Sequence, residues 1–186
     1  RMPVSELYFE RLPNSLQLAL AATLLSFLIG IPAGLLSAVR VDGAWDQAGK
    51  VVALLGLSIP GFWLALLLQI WIGVELGWLP IISTGQANAD WSERWKYFVL
   101  PVFVLALPNI AYFARFMRSS MLEITTSDFV RTARAKGLPP TRIFLNHELR
   151  NAILPVITVL GPQIALITTG GFVVELVFAI PGLGRY

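Results

Sequence analysis

Apolar residues in this chain do not alternate with polar ones; they run in blocks. Leu16 to Val39 contains no charged residue, and Val51 to Trp78 carries only Glu75 near its end. Phe98 to Phe116 has Arg115 in its last turn, and Ala152 to Phe178 has Glu175 near its end. The first block alone is roughly 36 Å long as a helix, enough to cross a bilayer with some tilt. Four such blocks predict an all-α, polytopic membrane protein with spans at 16–39, 51–78, 98–116 and 152–178. Residues 1–186 then form one transmembrane domain, and a soluble bundle is a poor alternative.

The breakers within and between the blocks add detail. Leu12-Pro13-Asn14-Ser15 opens the first span, with Asn14 or Ser15 placed to cap it. Pro32, Pro60, Pro101, Pro108, Pro155 and Pro162 sit within spans. Each weakens the local hydrogen-bond ladder, so as a group they favour bent helices around a pathway over a rigid anchor. Gly30 and Gly34, like Gly73 and Gly77, are small residues four apart and permit close helix contact, although the second pair also suits a helix end. The loop 79–97, with Gly85, Asn88 and Asp90, reads as surface.

One sizeable polar stretch remains, 117–150. Within it Ser127 or Asp128 can cap a helix whose Phe129, Val130 and Ala133 share a face, while Arg131, Arg134 and Lys136 lie largely away from that face. Gly137 suits a left-handed stop, and Pro139-Pro140 forbids simple continuation. Thr141 begins a second helix that runs through Arg150 into the fourth span. A polar helix held to the membrane on both sides suits the passing of force between a soluble partner and the spans.

Charge sets the orientation. The stretch 115–150 holds Arg115, Arg118, Arg131, Arg134, Lys136, Arg142 and Arg150, half of the chain's 14 lysines and arginines. Placing it in the cytoplasm puts the loop 40–50, with Arg40 and Lys50, there as well. Trp78, Trp91, Trp95 and Tyr97 then fit an outer interfacial belt. Residues 1–15 fall outside without a signal segment, so an internal piece of a longer protein is expected, with at least one span before Arg1. Overall the chain is 56% hydrophobic and 13% charged, and the net charge of +3 comes largely from one loop, so nucleic acid is not implied. It has no cysteine, which excludes disulfides and thiolate metal sites.

Catalytic patterns fail on inspection. His147-Glu-Leu-Arg-Asn151 has asparagine where a zinc helix needs a second histidine, and the chain has one histidine. Ala44-Trp-Asp-Gln-Ala-Gly-Lys-Val51 lacks the leading glycine and the hydroxyl of a phosphate loop. Glu75 and Glu175 lie near span ends. Glu75 suits an interfacial position, whereas Glu175, after Gly170-Gly171, is a candidate for lining the outer part of a pathway.

At Phe129-Val-Arg-Thr-Ala-Arg-Ala-Lys-Gly137 and Arg150-Asn-Ala-Ile-Leu-Pro-Val-Ile157 the chain resembles a binding-protein-dependent ABC importer permease. It is most similar to the first permease subunit of the dipeptide, oligopeptide and nickel group. Arg11-Leu-Pro-Asn-Ser-Leu16, Leu57-Ser-Ile-Pro-Gly-Phe-Trp63, Gly77-Trp-Leu-Pro80 and Val177-Phe-Ala-Ile-Pro-Gly-Leu-Gly-Arg185 carry the likeness across the chain. The resemblance implies a bacterial or archaeal inner-membrane subunit of six spans, a second homologous permease, two ATPase subunits and an extracytoplasmic solute-binding protein. ATP and magnesium would sit on the ATPases, with no cofactor on this chain. Asp128, Arg131, Ala133, Arg134, Ala135, Lys136 and Gly137 match the family's ATPase-coupling helix, although Arg131-Thr132-Ala133 replaces its general Glu-Ala-Ala. Cargo is expected to be peptide, with nickel chelates, glutathione and other solutes open. A secondary transporter or channel is the competing class, and it lacks mid-membrane acids here.

Overall fold

The computed structural model describes residues 4–82 and 91–185, and every regular element among them is helical. Two helices are long, α1 (Val4–Val39) and α4 (Trp91–Thr125). Between them lie α2 (Ala44–Ser58) and α3 (Gly61–Leu68), the latter widening into π-type turns over Gln69–Glu75. After α4 come α5 (Asp128–Ala135) and α6 (Pro140–Arg142), which widens over Ile143–Leu149 and runs into α7 (Arg150–Thr158). The chain continues as α8 (Leu160–Val177) and a closing 3-10 turn, Leu183–Arg185. Gly85, Asn88 and Asp90 of the outer loop, and the side chains of Trp91 and Arg185, lie outside the described residues.

α1 and α4 run parallel in a constant register. Asn14 meets Arg94 at one end, and Ser26 donates to the Ala106 carbonyl further along. The glycines set the spacing: a Cβ on Gly30 would stand 2.9 Å from the Ile110 carbonyl oxygen, and one on Gly34 would stand 2.5 Å from that of Ala114. The pair expected to allow close helix contact therefore marks the α1–α4 seam. Gly73 and Gly77 act differently. Gly77 is left-handed at φ +62 and ends its helix, while a Cβ on Gly73 would strike Ile81.

Prolines explain where the spans depart from single helices. The second block is not one continuous helix through Pro60; α2 and the 61–75 helix meet at 97°. Ile59 before the proline is extended at φ −82, ψ 121, and Pro60 is the corner residue of the turn. In the fourth block Pro162 cannot donate to Thr158, and the helix divides at Val159. Pro32, Pro101, Pro108 and Pro155 stay inside continuous helices. By length and composition Tyr8–Val39 and Glu93–Thr125 each suffice to cross a membrane, and the bent pair α2–α3 adds a third if counted as one span.

Asn14 and Ser15 do not cap α1, which starts nine or more residues earlier and passes through Pro13. Their side chains reach across the fold instead. Asn14 Nδ2 donates to the Pro181 carbonyl at 2.9 Å, and the Leu183 amide donates to Ser15 Oγ at 2.9 Å. The bundle thus has two distinct ends. One gathers Leu18, Ala22, Leu100, Val104, Phe178 and Ile180; the other gathers Ile31, Phe113, Met117, Met121, Ala152 and Val156. The 40–43 turn and the 126–140 segment both lie at the second end.

Candidate coupling interface

α5 is amphipathic and short, and it is held by what it buries. Val130 and Ala133 pack with Ile143, flanked by Ile124 at the end of α4 and by Leu138. Val130 is 0% exposed. Ser127 enters in extended backbone, but its hydroxyl donates back to the Ile124 carbonyl at 2.6 Å and does not cap the helix. Asp128 does not cap it either: its carboxylate faces Arg131 at 3.4 Å, an exposed pair. The competing side-chain bond to the preceding turn explains why the expected cap does not form.

The helix stops at Gly137, which is left-handed at φ +74. Its amide donates to the Arg134 carbonyl at 3.0 Å, and the Leu138 amide donates to the Ala133 carbonyl at 3.4 Å. These are the two backward bonds of a Schellman stop, and Leu138 folds onto the Val130–Ala133 cluster as that motif favours. Apart from Gly137 itself and its two chain neighbours, no described atom lies within 4 Å of where its Cβ would sit, so the demand for glycine is a backbone demand.

The candidate residues divide into two sets. Ala133 is buried and anchors the helix, whereas Arg131, Ala135, Lys136 and Gly137 remain exposed. Phe129, expected on the packed face, is 43% exposed and stands on the outward surface with the cations. Arg134 turns back: its Nη2 donates to Glu148 Oε1 at 3.0 Å, and Glu148 is buried. That pair closes the hairpin between α5 and the 143–149 turns, beside a cavity of about 420 Å³ bordered by Met121, Phe144 and Glu148.

A second cluster at the same end was not anticipated. Asp46 is 0% exposed, and its carboxylate accepts from Arg118 Nε at 2.7 Å and Nη2 at 2.9 Å. It also accepts from the Ser37 hydroxyl, from the Asp42 amide at 3.0 Å, and pairs with Lys50 at 3.0 Å. Gly49 and Lys50, which fail as a phosphate loop, are part of α2. The legible signal was an acid in the first turn of a helix with Lys50 four residues on, but Arg118 lies 72 residues away.

At the opposite end Glu175 is 1% exposed and accepts the Gly184 amide at 2.7 Å. Gly170 and Gly171 lie inside unbroken α8, and Gly171 backs onto Glu175. A Cβ on Gly182 would stand 2.4 Å from Glu175 Cδ, so the closing turn wraps this carboxylate. Gln69 Nε2 donates to the Ile81 and Val177 carbonyls at 3.0 and 3.1 Å and ties α3 to the same region.

Residues 30–186 match the family described as the binding-protein-dependent transport system inner membrane component. The chain belongs to that family. The oligopeptide transport system permease protein AppB of Bacillus subtilis is 43% identical over 98% of this chain and 58% of its own length. The dipeptide transport system permease protein DppB of the same organism is 43% identical over 98% of this chain and 57% of its own. The chain thus spans under two thirds of the length of these relatives. A crystal structure of an amino acid ABC transporter with histidines superposes with a TM-score of 0.71 over 97% of this chain and 76% of that one. At 18% identity that likeness concerns the fold alone. At one end of the bundle the described residues form two polar assemblies, the α5 hairpin and the Asp46 cluster.

Proposed function

We propose that this chain is the transmembrane permease subunit of an ATP-driven, binding-protein-dependent importer of short peptides. Four segments cross the membrane, the second bent at Pro60 and the fourth divided at Val159, and the end bearing α5 faces the cytoplasm. A second permease completes the pathway. Two ATPase subunits holding ATP and magnesium dock on α5, and a solute-binding protein delivers cargo to the other face. Asp128, Arg131, Ala135 and Lys136 meet the ATPase together with Phe129, while Ala133 and Gly137 keep the helix in position. Arg134 acts inside the hairpin through Glu148.

One observation carries this reading: α5 is fixed to α4 and to the 143–149 turns by a buried face, yet it leaves an aromatic ring and cations outward. Such a helix transmits a push, because it cannot roll without exposing Val130 and breaking the Arg134–Glu148 pair. The relatives' names, oligopeptide and dipeptide transport permeases, support the cargo class.

The Gly137 series tests it in the assembled complex reconstituted in proteoliposomes. Valine resists the left-handed region, whereas asparagine visits it at low cost. Gly137→Val should lower peptide uptake about tenfold while ATP hydrolysis continues, the strain being roughly 1–2 kcal/mol or more. Gly137→Asn should stay within about twofold of the parent. Equal uptake by both variants would remove α5 from the transport cycle, and a complex that takes up peptide without any ATPase would overturn the proposal.

A further inference from the structure

α4 makes three different joints within its last turns. Arg118 grips Asp46 of α2, Ser120 Oγ donates to the Ala152 carbonyl of α7 at 2.7 Å, and Ile124 packs under Val130 and Ala133 of α5. Six residues of helix separate the first joint from the last, roughly 9 Å. The joints differ in kind. Gly30 and Gly34 let α1 lie smoothly against α4, whereas the Arg118–Asp46 contact is a bidentate ion pair whose two bonds fix direction as well as distance. Every group facing Asp46 is a donor: Ser37 from α1, the Asp42 amide from the turn, Lys50 from α2 and Arg118 from α4. Asp42 is the further acid nearby, and it meets Lys50 at 3.4 Å.

A slip of α2 along α4 would carry Lys50 and the Asp42 amide with Asp46 but would break both guanidinium bonds at once, so this contact does not creep; it holds or it breaks. We infer that Asp46 is a positioning residue that makes α2 and the inner end of α4 one rigid body, so that displacement of α5 carries the 40–58 segment with it. This rests on the coupling role proposed for α5. Without Asp46, α4 would still be pushed, but α2 would follow only through apolar contacts.

The geometry supplies a lock that is independent of the ion pair. A Cβ on Gly56 would lie 3.5 Å from the Ala111 Cβ, at the short edge of the roughly 3.5–4.5 Å disulfide range. These 186 residues contain no cysteine, so Gly56→Cys with Ala111→Cys introduces a defined pair. The full-length permease carrying both would be assembled with its partner subunits in proteoliposomes. ATP hydrolysis and uptake of a labelled mixture of di- and tripeptides would be measured oxidised and reduced.

If α2 and α4 move together, oxidation leaves uptake within about twofold of the reduced state. Asp46→Asn then lowers peptide taken up per ATP hydrolysed about tenfold, and oxidising the cysteine pair in that background restores most of the loss. Arg118→Lys, which keeps the charge but not the fork, falls between. Uptake abolished by oxidation and recovered with reductant would overturn the inference, because it would mean that the helices slide in each cycle. Unchanged uptake per ATP in Asp46→Asn would overturn it too, as would a cysteine pair that never closes. A parent complex with no ATP-dependent uptake would instead sink the importer reading on which the inference rests.

Discussion

Asp46 and Glu175, at opposite ends of the bundle, are the two most deeply buried carboxylates among the described residues, and they are satisfied in different ways. Asp46 meets a guanidinium, an ammonium, a hydroxyl and an amide drawn from three helices and a turn. Glu175 accepts a backbone amide nine residues along its own strand of chain, in the turn that follows α8. The first needs its negative charge, because it faces two cations, Lys50 from the next turn of its own helix and Arg118 from α4. The second needs an acceptor oxygen of the right reach. Burial alone therefore says little about what an acid does; the origin of its partners says more. A carboxylate bonded to distant helices ties separate elements together, and one bonded to the next turn shapes a local corner.

Matched amide substitutions test that difference, and Asp46→Asn should have the largest effect. It keeps the shape of the side chain but removes the charge that Arg118 and Lys50 compensate. Arg118, with a side chain 22% exposed, would lose its only charged partner among the described residues, while the more exposed Lys50 keeps access to water and to Asp42. The thermal midpoint of the detergent-solubilised permease should fall on the order of 10 °C. Arg118→Leu in the same background should recover part of the loss, since the pair would then be absent and not broken. A midpoint unchanged by Asp46→Asn would place this cluster beside Glu175 as a set of acceptors, and the contrast between the ends would disappear.

The two helix stops extend the comparison. α8 closes with the same pair of backward bonds that ends α5: Ala179 donates to Leu176 at 3.2 Å and Ile180 donates to Glu175 at 2.9 Å. The residue in the left-handed position is Gly137 in one case and Ala179, at φ +53, in the other. Alanine bears a strain there that glycine does not. Ala179→Gly should therefore raise the midpoint by about 3 °C, the relief exceeding the entropy glycine loses on folding. A lower midpoint would mean that the alanine methyl contributes packing worth more than the strain.

What could be read in advance follows from where each cause resides. The all-α class and the long helices came from blocks of apolar residues, which are local. Gly137 announced its stop because a glycine before Pro139-Pro140 has few other uses, and Gly30 with Gly34 marked the seam with α4. Asp46 did not announce itself, because its burial depends on Arg118, which pattern within a helix cannot reach. Asn14 and Ser15 resembled caps for the same reason: their partners, Pro181 and Leu183, are 167 and 168 residues away. Pro60 gave the opposite error. Its local effect was legible, but an apolar block on both sides favoured reading one continuous helix where the backbone turns through 97°. Phe129 was assigned to the packed face on spacing alone, yet Val130 and Ala133 already fill the contact with Ile143.

The smallest expected effect is at Glu175. Glutamine there retains a carbonyl oxygen that the Gly184 amide can reach, and among the described residues the carboxylate's hydrogen-bond partner is this neutral backbone group at 2.7 Å. Charge-assisted bonds are stronger than neutral ones and the new NH2 group is buried, so some loss is expected, but the Gly184 amide keeps its acceptor. The midpoint should change by no more than about 2 °C. Uptake should likewise stay near the parent level, since the turn held by Asn14 and Ser15 remains in place. Glu175→Ala sharpens the point, because it strands the Gly184 amide inside the turn and should cost clearly more than the glutamine variant. If glutamine and alanine were equally harmful, the charge itself would be what this end requires. Glu175 would then belong with Asp46, and the division between a joint that needs charge and a corner that needs an acceptor would fail.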